Sequence, residues 1–309
     1  MNTYKPEGML IKEFSNLEYT STQKGLERAL ERGAILESAA TLCDHGMNLH
    51  VSLGERIRGI IPRDEVEYSR SEATKDIAIL TRVGKPVCFK VTGFRQEGGE
   101  VVALLSRRAA QMECYDYYIS TLCRGDIIPA RVTHLENFGA FVDIGCGIIS
   151  LLSIDTISVS RISHPSARVR VGDCLFTVVK DIDERGRIYV SERELLGSWM
   201  ENASLFTEGE TVRGIVRSVE DYGIFVELKP NLAGLAEYRD DVSVGDTAAV
   251  YIKSIIPEKM KIKLIIISTS DAPREPEPLE YFVDTEHLTH IDLWKYSPPT
   301  SNRIIETVF

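Results

Sequence analysis

Between residues 139 and 145 the chain reads Gly-Ala-Phe-Val-Asp-Ile-Gly. Side chains along a strand point to opposite faces in turn, so Ala140, Val142 and Ile144 share one face. Phe141 and Asp143 share the other, beside water, and Phe138 stands just before the glycine. The pattern returns 84 residues later as Tyr222-Gly223-Ile224-Phe225-Val226-Glu227-Leu228. The segments ahead of it, RGDIIPARV at 124–132 and EGETVRGIV at 208–216, match at the same offset, which marks an internal repeat. Each copy closes on a strand, a turn at 184–186 or 257–259, and another strand. The middle unit therefore predicts strands at 126–135, 139–145, 148–153, 173–182 and 187–191. Five short strands with glycine-rich turns predict a small closed barrel of the OB type.

Residues 33–107 fit the same template less well, with Met47 and His50 at the aromatic positions and an insertion at 66–81. Helical stretches precede and separate the units. KGLERALERG leads into the first, and RRAAQMECYDYYISTLCRGD and ERELLGSWMENASLFTEGE each predict one helix of about three turns between units. The chain thus divides into a helical lead-in (1–32), a degenerate barrel (33–107), a linker helix (108–122), a barrel (123–192), a second linker helix (193–206), a third barrel (207–269) and an acidic, Pro-rich extension (270–309). The extension carries Trp294, Tyr296, Ile304, Ile305, Val308 and Phe309, enough apolar surface to dock, and the pattern assigns it no fold.

The units resemble the S1 RNA-binding domain, the OB-fold module of a small-subunit ribosomal protein. The residues that carry the resemblance are Phe138-Gly139-Ala140-Phe141-Val142-Asp143, Ser150-Leu151-Leu152, Val171-Gly172-Asp173, then Asp183, Arg187 and Ser191. The resemblance implies an all-β protein of three tandem S1-type OB barrels joined by short linker helices, akin to the bacterial ribosomal protein S1 family. In that family two aromatics, a histidine after the third strand and an Asp/Arg pair form the RNA face. Carried over, this implies RNA contacts by Phe138, Phe141, Asp183 and Arg187 in the middle unit and by Tyr222 and Phe225 in the last. The family histidine falls on Ser153 and Glu237, Pro257 stands where the last unit would have the Asp, and Lys261 replaces the Arg.

Exposed aromatics hold single-stranded RNA because every base has a π-face to stack. Burial of the same rings against a linker or a neighbouring unit is the plainer alternative. The formal charge of −10 argues against binding by blanket phosphate neutralisation. The extension from 271 onward holds eight acids against three bases, so half of that excess lies outside the repeats. A few cations remain to meet phosphates: Arg131 and Arg187 in the middle unit, and Arg217, Lys261 and Lys263 in the last.

The six cysteines are scattered without CxxC spacing and read as free buried thiols. His287 and His290 lack a third ligand, and neither GxGxxG nor GxxxxGK[ST] occurs. No catalytic constellation, metal or cofactor is expected. No apolar run is long enough to span a bilayer, and the first residues lack a basic region leading into an apolar core. The expected protein is cytoplasmic and binds single-stranded RNA, such as mRNA presented to the ribosome, with no membrane partner. The competing reading is a scaffold whose degenerate barrels hold a protein.

Overall fold

The computed structural model describes residues 4–54, 57–68, 75–271 and 279–309. The chain separates into two compact units. The first comprises 1–122 with 129–131 and 143–149; the second comprises 123–128, 132–142 and 150–309.

In the first unit α1 (Phe14–Thr20) and α2 (Gln23–Arg32) form the lead-in. Helix α2 starts where the Thr22 hydroxyl accepts from the Gly25 amide at 3.0 Å, and it stops at Gly33, whose φ of +62° only glycine adopts at little cost. Its buried stripe of Leu26 and Ala29 packs on a barrel of β1 (Ile35–Cys43), β2 (Leu49–Ser52), β3 (Ile57–Ile61), β4 (Pro86–Glu97) and β5 (Glu100–Ser106). The insertion between β3 and β4 contains α3 (Asp76–Leu80), and its residues 69–74 lie outside the described residues. Helix α4 (Arg107–Tyr117) follows β5 directly, capped by the Ser106 hydroxyl on the Ala109 amide at 2.8 Å.

The second barrel consists of β6 (Ile127–Glu136), β7 (Gly139–Asp143), β8 (Ile149–Ser153), β9 (Cys174–Ile182) and β10 (Ile188–Ser191), with the short α5 (Ile154–Ile157) after β8. Its strands fall within two residues of the positions that the alternation predicts. The three-turn helix expected at 193–206 is instead a 3-10 turn, Arg193–Leu195, followed by a five-residue α6 (Trp199–Ala203). Gly197 breaks it: the residue sits at φ +81°, and a Cβ there would come within 2.7 Å of the Phe282 ring. Ser198 and Glu201 then cap α6 reciprocally, at 3.2 and 2.7 Å.

The third barrel contains β11 (Thr211–Glu220), β12 (Gly223–Lys229), β13 (Leu232–Ala236), β14 (Thr247–Ile256) and β15 (Lys261–Ser270). All three barrels close with the same order, first strand to second to third, then fifth, then fourth. The third and fifth strands of each run parallel, as OB closure requires. Among the described residues no helix is long and apolar enough to cross a membrane. The cysteines are free, but only Cys88, Cys114 and Cys146 are buried; Cys123 and Cys174 are exposed, in contrast to the expectation, because they lie outside the barrel cores.

The C-terminal extension docks within the second unit. Trp294 and Tyr296 join the third barrel's core cluster with Trp199, and β16 (Leu293–Lys295) pairs with β17 (Glu306–Val308). The Tyr296 hydroxyl donates to the Asn231 carbonyl at 2.7 Å, and the His290 ring lies 2.7 Å from Asp126. The Tyr281 hydroxyl donates to Glu192 at 3.0 Å, and the other Glu192 carboxyl oxygen is buried without a partner. Burial pushes this carboxyl up to about 8, which the Tyr281 bond and nearby Arg168 only partly oppose.

Between the ordinary value of 4.5 and about 8, the native protein keeps a proton that the unfolded chain has released, so Glu192 makes stability fall as pH rises through that window. Both tryptophans lie in the second unit, so their fluorescence follows its unfolding. The urea midpoint so measured should drop between about pH 5 and pH 8. Glu192→Gln, permanently neutral, should flatten that dependence; an unchanged slope would show that Glu192 ionises freely in the fold.

Candidate nucleic-acid interface

The aromatic pairs sit at the tips of the first hairpins of the second and third barrels. Phe138 is 54% exposed and Tyr222 70%, whereas Phe141 and Phe225 are half-buried behind them. Each pair meets edge to face, Phe138 with Phe141 at 6.0 Å and 90°, Tyr222 with Phe225 at 6.1 Å and 85°. That contact uses one ring's edge and leaves ring faces free to stack. The intervening glycines are steric necessities. A Cβ on Gly139 would lie 2.5 Å from the Leu152 carbonyl, and one on Gly223 2.5 Å from that of Ala236.

A bulge sets which residues face out. In the third barrel Val216 pairs with Val226 and Ser218 with Phe225, leaving Arg217 as the extra residue. In the first barrel Ala40 pairs with Val51 and Leu42 with His50, leaving Thr41. The Thr41 hydroxyl donates to the His50 carbonyl at 3.2 Å, and Thr133 makes the same bond to Phe141 at 3.0 Å. Met47 and His50 thus hold the positions of the aromatics, in the register the sequence predicts.

Pairing carries the outward row around each barrel. In the third it runs Ser218, Phe225, Leu235, Lys263, Ser254. In the first it runs Leu42, His50, Ile60, Leu104, Gly93, with no cation. In the second, Tyr189 takes the place of Lys263, beside Leu151 and Asp181. The Phe141 ring also lies against His134, 6.3 Å away and nearly parallel. Sequence reasoning missed both His134 and Tyr189. The 84-residue offset does not carry Tyr189 to Lys263, because the segment between the third and fourth strands is ten residues shorter in the last unit and the offset falls to 74 beyond it.

Of the polar site residues, Asp183 accepts from the amides of Arg185 and Arg187, both at 2.9 Å, and from Arg187 Nε at 2.7 Å. Those bonds, the Arg187 amide first, hold its carboxyl below the usual range, while the Arg187 side chain remains 64% exposed. Lys261 and Lys263 are exposed on β15, after a turn in which Pro257 stands in place of the Asp and Met260 takes a φ of +48°. The other two cations are engaged. Arg131 donates to the Glu7 carbonyl at 2.6 Å. Arg217 grips Glu227 with two bonds, 2.8 and 3.0 Å, and Arg168 bonds the same carboxylate.

The acid that follows each aromatic pair is not beside water, as the alternation suggests. Asp143 is 1% exposed and accepts from the amides of Glu7, Gly145 and Gly147. Burial and the neighbouring Glu7 push its carboxyl up to about 7. Glu227 holds the same position in the third barrel and is also buried. The strand face turns inward here because the chain that covers it comes from far away in sequence. Among the described residues no cluster of His, Cys, Asp or Glu is arranged to hold a metal.

The family model described as the S1 RNA binding domain matches residues 122–193, which take in all of β6 to β10. The second barrel carries the match to the S1 RNA-binding domain. Small ribosomal subunit protein bS1 of Staphylococcus saprophyticus is 27% identical over 279 residues, covering 85% of this chain and 68% of its own. That of Mycobacterium tuberculosis is 29% identical over 294 residues, covering 89% and 59%. The chain therefore spans 59–68% of the length of these two relatives. Among solved structures, a multidomain protein with nucleic acid binding domains from Streptococcus pneumoniae aligns over 76% of this chain and 74% of its own, at 14% identity and a TM-score of 0.25.

Downstream of the S1 domain, Glu227 holds two guanidiniums together, and removing it strands both. Glu227→Ala should cost about 3–5 kcal/mol, read from the tryptophan-monitored urea transition. A loss below about 1 kcal/mol, the range of a surface pair, would show that Arg168 and Arg217 are solvated.

Proposed function

We propose that this chain binds single-stranded RNA through the aromatic tips of its second and third barrels, in the cytoplasm and in the service of translation at the ribosome. The observation that carries the reading is the exposed, edge-to-face Phe138–Phe141 pair in a barrel that matches the S1 RNA-binding domain. The bS1 names of the relatives support the translational setting. The RNA face of the second barrel is Phe138, Phe141, Asp183 and Arg187, with His134 and Tyr189 added. That of the third is Tyr222, Phe225, Lys261 and Lys263.

Stacking supplies most of the affinity, because the charge budget is small. Of the five cations expected to meet phosphate, Arg187, Lys261 and Lys263 are exposed, while Arg131 and Arg217 are bonded within the protein. The first barrel is suited to protein contact instead, since its row exposes Leu42, partly exposes His50 and Leu104, and offers no cation. It needs no catalytic group.

The test is affinity for a short unstructured RNA. Replacing Phe138 and Phe141 together by alanine in the full chain should weaken binding by about 2–4 kcal/mol if each stacks one base. Replacing Met47 and His50 should leave affinity nearly unchanged. Equal affinities for wild type and the Phe138/Phe141 variant, both shown folded, would refute the stacking site. The logarithmic salt slope should be shallow, about 2 for roughly three phosphates on a single strand; a slope above about 5 would mean that charge dominates.

A further inference from the structure

Next to Phe225 the second unit contains a cavity of about 220 Å³, lined by Arg168, Arg213, Arg217, Lys229, Glu227 and Glu280 among others. We propose that this cavity is a phosphodiester subsite that takes a backbone phosphate of the RNA strand as it runs on from Phe225. The proposal rests on the RNA reading above and extends it to a place that neither the aromatic motif nor the Asp/Arg pair reaches.

Position is the first argument. Phe225 and Glu227 lie on one face of β12 two residues apart, about 7 Å along the strand, with Glu227 covered by the chain around the cavity. Ile215 pairs with Glu227 and Ser218 with Phe225, so Arg213, Ile215 and Arg217 of β11 flank the same surface. A strand stacked on Phe225 and following this sheet face meets the cavity next.

Charge is the second. Four cations and two carboxylates line the cavity, which leaves an excess of two positive charges (4 − 2) in a protein whose formal charge is −10. Arg168 and Arg217 share the single Glu227 carboxylate, and Lys229 pairs with Glu280 at 2.8 Å. Arg213 is exposed and has no ion pair among the described residues. Burial, and then repulsion from Arg217, weaken the hold of Arg168 on its proton against the opposing pull of Glu227, so a further anion placed here is favourable.

Size and donor chemistry are the third. The volume lies below the roughly 300–1,000 Å³ of pockets that enclose drug-sized ligands. It admits a phosphate group. Guanidinium forks match phosphate oxygens two at a time.

The same chemistry could serve free phosphate, and the experiment separates the sources. Oligouridine affinity is titrated across salt for the full-length wild type, Arg213→Ala, Arg213→Lys and the Tyr222→Ala/Phe225→Ala variant. Arg213→Ala should weaken binding severalfold at low salt and lower the log–log slope by about 0.7, the increment of one contact on a single strand. Arg213→Lys should keep the slope, and the aromatic variant should weaken binding at an unchanged slope. If Arg213→Ala matches wild type in slope and affinity while the aromatic variant binds poorly, the subsite is refuted and the RNA reading stands. If the aromatic variant also binds like wild type, the third barrel's part of the RNA reading falls with it. Inorganic phosphate, followed by the Arg213 guanidinium NMR signal, should bind weakly and be displaced by oligouridine. Tight phosphate binding that oligouridine leaves in place would assign the cavity to a small anion and overturn the proposal.

Discussion

Barrel closure through one parallel strand pair is the constraint from which the rest follows. A hairpin-connected sheet has two free edges, and OB closure joins them by laying the fifth strand beside the third. In the third barrel that pairing sets Lys263 against Leu235, and the neighbouring ladder sets Leu235 against Phe225. Residues nearly 40 positions apart thereby enter one outward row. The bulge at Arg217, repeated at Thr41, lets the first strand coil tightly enough for closure, and it fixes that Phe225 or His50 points outward. The aromatic tip and the cations near it are consequences of the same closure.

The carboxylate two residues beyond the second aromatic belongs to a different task. Asp143 is bound by three backbone amides and Glu227 by two arginines, and both are buried. A buried charge is tolerated only when its bonds are met. Each of these acids therefore fixes the chain packed over it: the Gly145–Gly147 turn and the Glu7 segment for Asp143, the Arg168 segment for Glu227. The arrangement consumes Arg217, which lies on the right strand to meet phosphate but is already paired. On the RNA reading proposed above, an acidic protein with few spare cations binds mostly by stacking, which favours unpaired bases because only those expose their faces.

The extension after the third barrel is part of the second unit's core. Trp294 and Tyr296 pack with Trp199, the Arg193 guanidinium lies 5.9 Å from the Trp294 ring, and Tyr281 covers Glu192. Its acidity and its apolar residues serve separate ends: the aromatics dock, and most of the carboxylates stay outside. Removing it would expose aromatic surface along with deleting charge.

The sequence by itself determined the repeat, the five strands of each barrel, the OB topology and the aromatic positions at the hairpin tips, including the degenerate pair Met47 and His50. These are legible because strand alternation and glycine spacing are local, and because an 84-residue repeat supplies two readings of one pattern. It also pointed to Asp183 and Arg187, which are close in sequence and pair across one turn. The tertiary structure alone decided that Arg131 and Arg217 are bonded inside the protein, that Asp143 faces inward, that Gly197 splits the second linker and that the extension docks. All but the Arg217–Glu227 bond, which forms within one hairpin, depend on a partner brought from afar: Glu7 for Arg131 and Asp143, Phe282 for Gly197, Glu192 and Trp199 for the extension. Alternation tells which residues share a face of a strand. Which faces water is settled only when another segment does or does not pack there.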